Sequence, residues 1–322
     1  MKYPLALLIS CFAINGIAQE PREVTFDDGT VVNITLNYDY PDRMYDLSVS
    51  ANYGEITLSN VAIGVFLKPA YKYSDKLNFD CNIFLPIAGT ATRRLDQQLL
   101  RSTKKTLEFF PEAHYKLKST TEAKNKFVQA EYTRGFDFNT NYLVEMPLKI
   151  KKEIFFDGGI NYSQFTSSNT FQSDDEEEYT LYGQGIVALT AGISRVKTNN
   201  YKLTLDDRVY VYARSSQLSF KVLLGVPTAA DIVRSYGPND DLNYEFDPTT
   251  GYEMPDFLNI GARLGIDRIR SFAKRPKIFI TWGFHVGVNP AYGGGDGELA
   301  LLNKGMIYSG ARLGFGFGRI PK

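Results

Sequence analysis

From Met44 to the C-terminus, apolar residues return at every second position, and that period limits what the chain can fold into. A period of two belongs to β-strands with unlike faces. "YDLSVSANY" sets Tyr45, Leu47, Val49, Ala51 and Tyr53 against Asp46, Ser48, Ser50 and Asn52. "KLNFDCNIFL" sets Leu77, Phe79, Cys81, Ile83 and Leu85 against Asn78, Asp80 and Asn82. "TLEFFPEAHYKL" sets Leu107, Phe109, Ala113, Tyr115 and Leu117 against Glu108, Glu112, His114 and Lys116. "MPLKIKKEIFFDGGINYS" reads as a strand pair. Met146, Leu148 and Ile150 lie on its greasy face, and after a turn Ile154, Phe156, Ile160 and Tyr162 continue that face. The pattern yields about thirteen strands, many of about ten residues, the length of a tilted membrane strand. Single-chain barrels favour even counts, so the expectation is an all-β, transmembrane antiparallel β-barrel of about 12–14 strands. "YKLTLDDRVYVYARSSQ" stays open, as one long strand or as a hairpin at Asp206-Asp207.

The alternation alone does not say which face is inside, because a soluble sandwich also alternates. Two further features bear on it. The first twenty residues, "MKYPLALLISCFAINGIAQE", have the plan of a secretory signal: Lys2, an apolar stretch from Leu5 to Ile14, and small residues before a cut near Ala18. A rival reading takes "LISC", Leu8 to Cys11, as a lipobox. The greasy face is also edged by Tyr and Phe, from a chain with 14% aromatics, as in an aromatic girdle. An exported chain with this edging is expected to turn its greasy face to lipid and its polar face to a lumen. An exported β-sandwich is the alternative.

The expected organisation is a signal peptide over 1–18, an N-terminal periplasmic tail or plug over 19–43, and the barrel over 44–322. If Cys11 leaves with the signal, Cys81 is the remaining thiol and no intrachain disulfide forms. Acids and bases balance at 36 each, so nothing in the charge points to nucleic acid. Two stretches read as outer loops: the acidic run Asp174 to Glu178, and Pro227 to Asp256. "KTNN" at Lys197 reads as a short periplasmic turn.

From Tyr142 a series of segments resembles the PorT-like outer-membrane β-barrels of the Bacteroidota. Glu145, Pro147 and Leu148 stand in "YLVEMPLKIKK", and Phe156, Gly158 and Gly159 in "FFDGGINYSQF". Gly183, Gly185 and Gly192 follow in "YGQGIVALTAGISR", then Ala213 and Arg214 end "LTLDDRVYVYAR". The resemblance runs to Arg214. It implies the outer membrane of a Gram-negative bacterium. It implies no single activity, since the family is functionally mixed, and membership in a secretion machinery is one option within it.

Candidate chemistry is sparse. His114 and His285 both fall on the polar face, and neither has a Ser two residues away, where a strand would put it on the same face. Gly183-x-Gly185-x-x-Ala188 approaches a dinucleotide fingerprint but lacks the helix that must follow. The acidic run lacks the fixed spacing of a calcium loop. Arg263 sits between Gly261 and Gly265, and Arg312 shares a face with Gly310, Gly314 and Gly316. Such glycines leave room at a barrel wall for long side chains. The expected lumen network is Glu108, Glu112, His114, Arg208, Arg214, Arg263, His285 and Arg312, with a pore constriction as the alternative role for the arginines. No catalytic, metal or cofactor site is expected.

The resulting expectation is a non-enzymatic, integral outer-membrane barrel with a polar, largely filled lumen. It would act as a structural or complex-forming component, with outer-membrane lipids and other envelope proteins as partners. The alternatives are a diffusion channel for small solutes and a component of a secretion machinery.

Overall fold

The computed structural model describes residues 22–25, 31–37, 45–56, 60–92, 99–101, 107–134, 138–173, 176–205, 208–236, 257–272, 275–292 and 307–319. The signal-peptide and lipobox readings fall outside these residues. Among the described residues there are fifteen strands: β1 (Arg22–Thr25), β2 (Val31–Asn37), β3 (Tyr45–Ile56), β4 (Asn60–Lys72), β5 (Leu77–Thr92), β6 (Leu99–Arg101), β7 (Leu107–Arg134), β8 (Phe138–Ser173), β9 (Glu176–Leu205), β10 (Arg208–Tyr236), β11 (Phe257–Leu258), β12 (Ile260–Phe272), β13 (Arg275–Val288), β14 (Ala291–Tyr292) and β15 (Ile307–Arg319). Ten of them close into an antiparallel ring in the order β3-β4-β5-β7-β8-β9-β10-β12-β13-β15, with β15 returning to β3.

The register gives the barrel's dimensions. Starting at Thr198 in β9, paired residues run through Ser215, Ile269, Thr281, Gly314, Ser50, Phe66, Phe84, Glu108 and Ser163. They return to β9 at Ile186, twelve residues from the start (198 to 186). With ten strands, that stagger corresponds to a tilt of about 40° and a backbone radius of about 10 Å. A ring of this size can be filled by side chains from its own wall, whereas barrels of 16–18 strands leave a channel.

The facing follows the alternation. Leu47, Val49, Phe109, Tyr115, Phe156, Ile160, Leu189, Ile193, Leu313, Phe315 and Phe317 are exposed on the outside. Ser48, Ser50, Glu112, His114, Asp157, Asn161, Ser194 and Lys221 are buried on the inside. Leu189 is 63% exposed while its neighbour Thr190 is 7% exposed, the inverse of a soluble core.

Ten strands, not 12–14, form the ring, and the reason is local. After Leu117, β7 runs through "KSTTEAKNK", whose residues from Lys118 to Asn125 are exposed or half-buried on both faces. Polar on both faces, this stretch reads as a loop, yet it stays paired with β8 to Arg134. The segments Phe127–Arg134 and Asn141–Ile150 are therefore continuations of β7 and β8. The strand pair read in "MPLKIKKEIFFDGGINYS" is one strand, with a register irregularity opposite Lys116/Lys118 in place of a turn. "KTNN" lies inside β9, and the chain reverses only after Leu205, which pairs with Arg208, so the hairpin alternative holds. The acidic run is strand from Glu176 onward, and Pro227 to Tyr236 belongs to β10. Asp174, Asp175 and 237–256 lie outside the described residues. The N-terminal segment supplies a hairpin, β1–β2, whose second strand pairs with β9 from Ile34↔Leu205 to Asn37↔Lys202.

Candidate functional site

The lumen is where the chain concentrates buried charge, and glycines decide which charges meet. Glu112 on β7 lies opposite Gly159 of β8, and Lys221 on β10 opposite Gly192 of β9. Each of the two charged residues thus has a glycine beside it on the neighbouring strand, and the Lys221 ammonium reaches the Glu112 carboxylate across β8 and β9. A Cβ on Gly192 would stand 2.8 Å from Lys221 Cγ, and one on Gly159 would stand 3.1 Å from Glu112 Cγ. The device recurs on the other wall. Arg312 of β15 pairs with Asp267 of β12 across Gly283 of β13. A Cβ on Gly283 would collide with the Asp267 carboxylate and lie 2.7 Å from Arg312 Nε.

A third pair joins Arg263 of β12 to Glu108 of β7, and the Tyr308 hydroxyl accepts from the same guanidinium. Phe110, 1% exposed, lies between the cations, with Lys221 Nζ 4.9 Å and Arg263 Cζ 5.2 Å from its ring centre. Arg312 stacks on Phe66 at 4.3 Å. These contacts give the guanidinium groups planar partners as well as carboxylates.

His114 anchors the lower part of the network. Its Nδ1 is 2.8 Å from Asp157 Oδ1, its neighbour across the β7–β8 pair, and its Nε2 is 3.2 Å from Asp80 Oδ2. The Ser194 hydroxyl donates to Asp157 Oδ1 at 3.0 Å. Lys68 joins Asp80 at 3.0 Å and approaches Asp267 at 3.8 Å, tying the two walls together. Asn161 donates to Glu108 at 3.2 Å and Asn82 to Glu112 at 3.3 Å. Asp80, Glu112 and His114 bring possible metal-ligand atoms within 4.8 Å of one another. Lys68 and Lys221 already pair with the two carboxylates, and Asp157 holds the histidine.

The lumen narrows upward from a vestibule of about 230 Å³ lined by Lys68, Asp80, His114, Glu153, Asp267 and Arg312. Above it, a second cavity of about 40 Å³ lies among Glu108, Lys221, Arg263 and His285. At the far rim Ala291 packs on the buried Ile186. A Cβ on either of two wall glycines would meet the ring of Pro290, 2.5 Å away at Gly225 and 2.6 Å at Gly261.

Of the eight residues expected in the lumen, Glu108, Glu112, His114, Arg263 and Arg312 enter this network. His285 lies over Gly310 and beside the Tyr308 ring, 5.7 Å between centres. Arg208 opens β10 opposite Leu205, and its side chain lies outside the described ones. Arg214 lies at the mouth of the vestibule, in its lining, and outside the charge network. Its neighbour Ala213 is buried, and the alternation turns Arg214 outward, where it is exposed. Asp80, Asp157, Lys221 and Asp267 carry the signal that marks the others, a charge at an inward position. Lys68 has the same signal, and Ser194 has none.

No protein-family model matches the chain, and no curated protein matches its sequence. Among solved structures it is similar to the outer-membrane expressed OmpT of Vibrio cholerae, with 6% identity, 92% of this chain and 100% of that chain covered, and a TM-score of 0.20. It is also similar to OccK5 (OpdH) of Pseudomonas aeruginosa, with 10% identity, 86% and 98% covered, and a TM-score of 0.14. Likeness at these scores carries no argument, so the barrel assignment rests on strand register and side-chain facing.

Proposed function

We propose that the protein is a non-enzymatic integral outer-membrane β-barrel with a closed lumen, acting as a structural or complex-forming component of the envelope. One observation carries this reading: three ion pairs, Glu112–Lys221, Glu108–Arg263 and Asp267–Arg312, each bypass at least one strand and fill the bore. A solute path would have to break buried, paired charges, which is costly. The same geometry argues against acyl-transfer chemistry. Both His114 nitrogens face carboxylates, and Ser194 donates to Asp157, so the histidine is not placed to take a proton from a serine. The PorT-like resemblance belongs to the proposal, and with it a place in a secretion machinery. What supports it is the run of motif residues from Tyr142 to Arg214, Gly159 and Gly192 among them. Planar-bilayer recording tests the closed lumen. The full barrel should show no steady open-channel current, and a stable porin-like conductance would replace this reading with the diffusion channel.

A further inference from the structure

The chain has no net charge, yet one sector of its outer wall is strongly basic. On β9, β10 and β12 the apolar band ends at Ile193, Leu218 and Ile266, and the next outward positions toward the short-turn rim are Arg195, Lys197, Arg214, Arg268 and Arg270. All five are exposed, and none forms a salt bridge among the described residues. The register sets them around a small hydroxyl residue. Ser216 lies directly between Lys197 and Arg268, and Arg214, two positions along, lies opposite Arg270. Lys152 faces Lys197 from β8, and it is already paired with Glu122, the one described acid against this sector. Like charges directly opposite one another across strands repel, and this sector contains two such pairs, Arg214↔Arg270 and Lys152↔Lys197. Arg268 lies 4.9 Å over the ring of Trp282, which holds one guanidinium at the margin of the apolar band.

We propose that this sector is a binding site for the phosphate of an anionic phospholipid. Ser216 would form the floor, and Lys197, Arg214, Arg268 and Arg270 the walls. The phosphate would supply the missing counter-charge through the forked contacts arginine makes with it. The acyl chains would lie along Ile193, Leu218 and Leu264, which the cradle adjoins on the same face. The inference rests on the greasy face meeting lipid, so the test separates the two claims.

The full chain is reconstituted into nanodiscs of phosphatidylcholine, with and without phosphatidylglycerol, and the lipids retained on detergent release are counted by native mass spectrometry. Phosphatidylglycerol should be retained over phosphatidylcholine by about tenfold or more, with about fivefold lost per cation removed. The Arg214→Gln/Arg268→Gln/Arg270→Gln variant should show no preference, while Lys76→Gln, an exposed lysine in the β4–β5 turn across the ring, should keep it. If the triple variant does not fold, Arg270→Gln alone decides by its fivefold loss. Equal retention of the two lipids by the native chain overturns the site, as does a triple variant that keeps the preference. Full displacement of phosphatidylglycerol by millimolar inorganic phosphate also overturns it, since the ligand would then be a soluble anion. Failure to incorporate into either nanodisc refutes the barrel reading instead.

Discussion

The lumen network makes a quantitative demand on Lys221. Its ammonium is the cation on Glu112, whose side chain is 1% exposed. Lys221→Met keeps most of the volume and the packing on Phe110 but leaves Glu112 with only the Asn82 amide at 3.3 Å. Breaking a buried pair from one side costs about 3–5 kcal/mol, because a charge is left buried without compensation. Removing both charges, as Glu112→Gln with Lys221→Met, leaves only neutral groups and should cost less than about 2 kcal/mol, since buried pairs are often replaceable at little cost. The coupling energy between the two sites should therefore be at least about 2 kcal/mol. Urea unfolding from phospholipid vesicles can measure it. Trp282 is the one tryptophan in the chain and sits on the outer wall, 38% exposed, so its emission reports insertion and loss of the barrel. A Lys221→Met cost below about 1 kcal/mol, or strictly additive single and double variants, would refute the claim that the pair closes the lumen.

Three further outcomes are expected. Leu189→Arg places a charge on the lipid face at a 63% exposed position and should cost about 2–4 kcal/mol if it lies near the midplane; a cost near zero in the same unfolding assay would reverse the assigned facing. Beyond the apolar band, the hydrogen bond from Lys152 holds the Glu122 carboxyl below the ordinary glutamate range. That stabilisation is present above the unfolded pKa of about 4.3 and is lost as pH falls through the lower folded value; Lys152→Gln should move the Glu122 titration, followed by NMR, back up to the ordinary range, and an unmoved titration would contradict the pairing. For topology, a Cys at Asn239 or Asp174 in a Cys81→Ser background should react with an impermeant thiol reagent on intact cells. A Cys at Ser74, in the short turn closed by Tyr73 and Leu77, should not react, because outer loops are long and periplasmic turns short; the opposite pattern would invert the barrel.

What could be read from the sequence was what the bilayer imposes. Within the apolar band, lipid on one side and a crowded lumen on the other force strict alternation, so parity puts Leu47, Phe109, Phe156 and Leu189 on one face, and the aromatic edging turns that face to lipid. Outside the band that constraint lapses. "KSTTEAKNK" and "KTNN" are polar on both faces and still strand, because the backbone ladder continues where the side chains no longer need to alternate. That is why the strand ends and the count were misplaced while the barrel itself was not. The network was legible to the same extent. Inward parity finds Glu108, Glu112 and Arg263, but their partners depend on the stagger of the ring, a global quantity. Parity also puts Arg214 on the outer face, with Leu218 and Phe220 of the same strand. It stands in "YKLTLDDRVYVYARSSQ", the stretch that the sequence leaves open as one strand or a hairpin.

That stretch carries a last prediction. β8 leaves β9 at the Lys151↔Thr198 pair, and β9 continues to Leu205 with the β8 side open. An unpaired strand edge invites association with other chains, and β2 closes it over Lys202 to Leu205. The closure is apolar as well as hydrogen-bonded: Ile34 is 2% exposed, Leu36 is 7% exposed, and Leu203, opposite Leu36, is 1% exposed. Deleting residues 22–37 removes two buried aliphatic side chains worth about 1.5–3 kcal/mol each, an upper range because the unfolded chain also buries some of this surface. β2 is not part of the ring, so the loss should stay local. The shortened barrel should keep its heat-modifiable mobility and its Trp282 emission. It should also gain a protease-sensitive site near Asp206 and a concentration-dependent tendency to dimerise in detergent, both read by limited proteolysis with size-exclusion chromatography. If the truncated chain does not insert at all, β2 is needed to form the ring. If its proteolysis pattern is unchanged, β2 does not protect the edge.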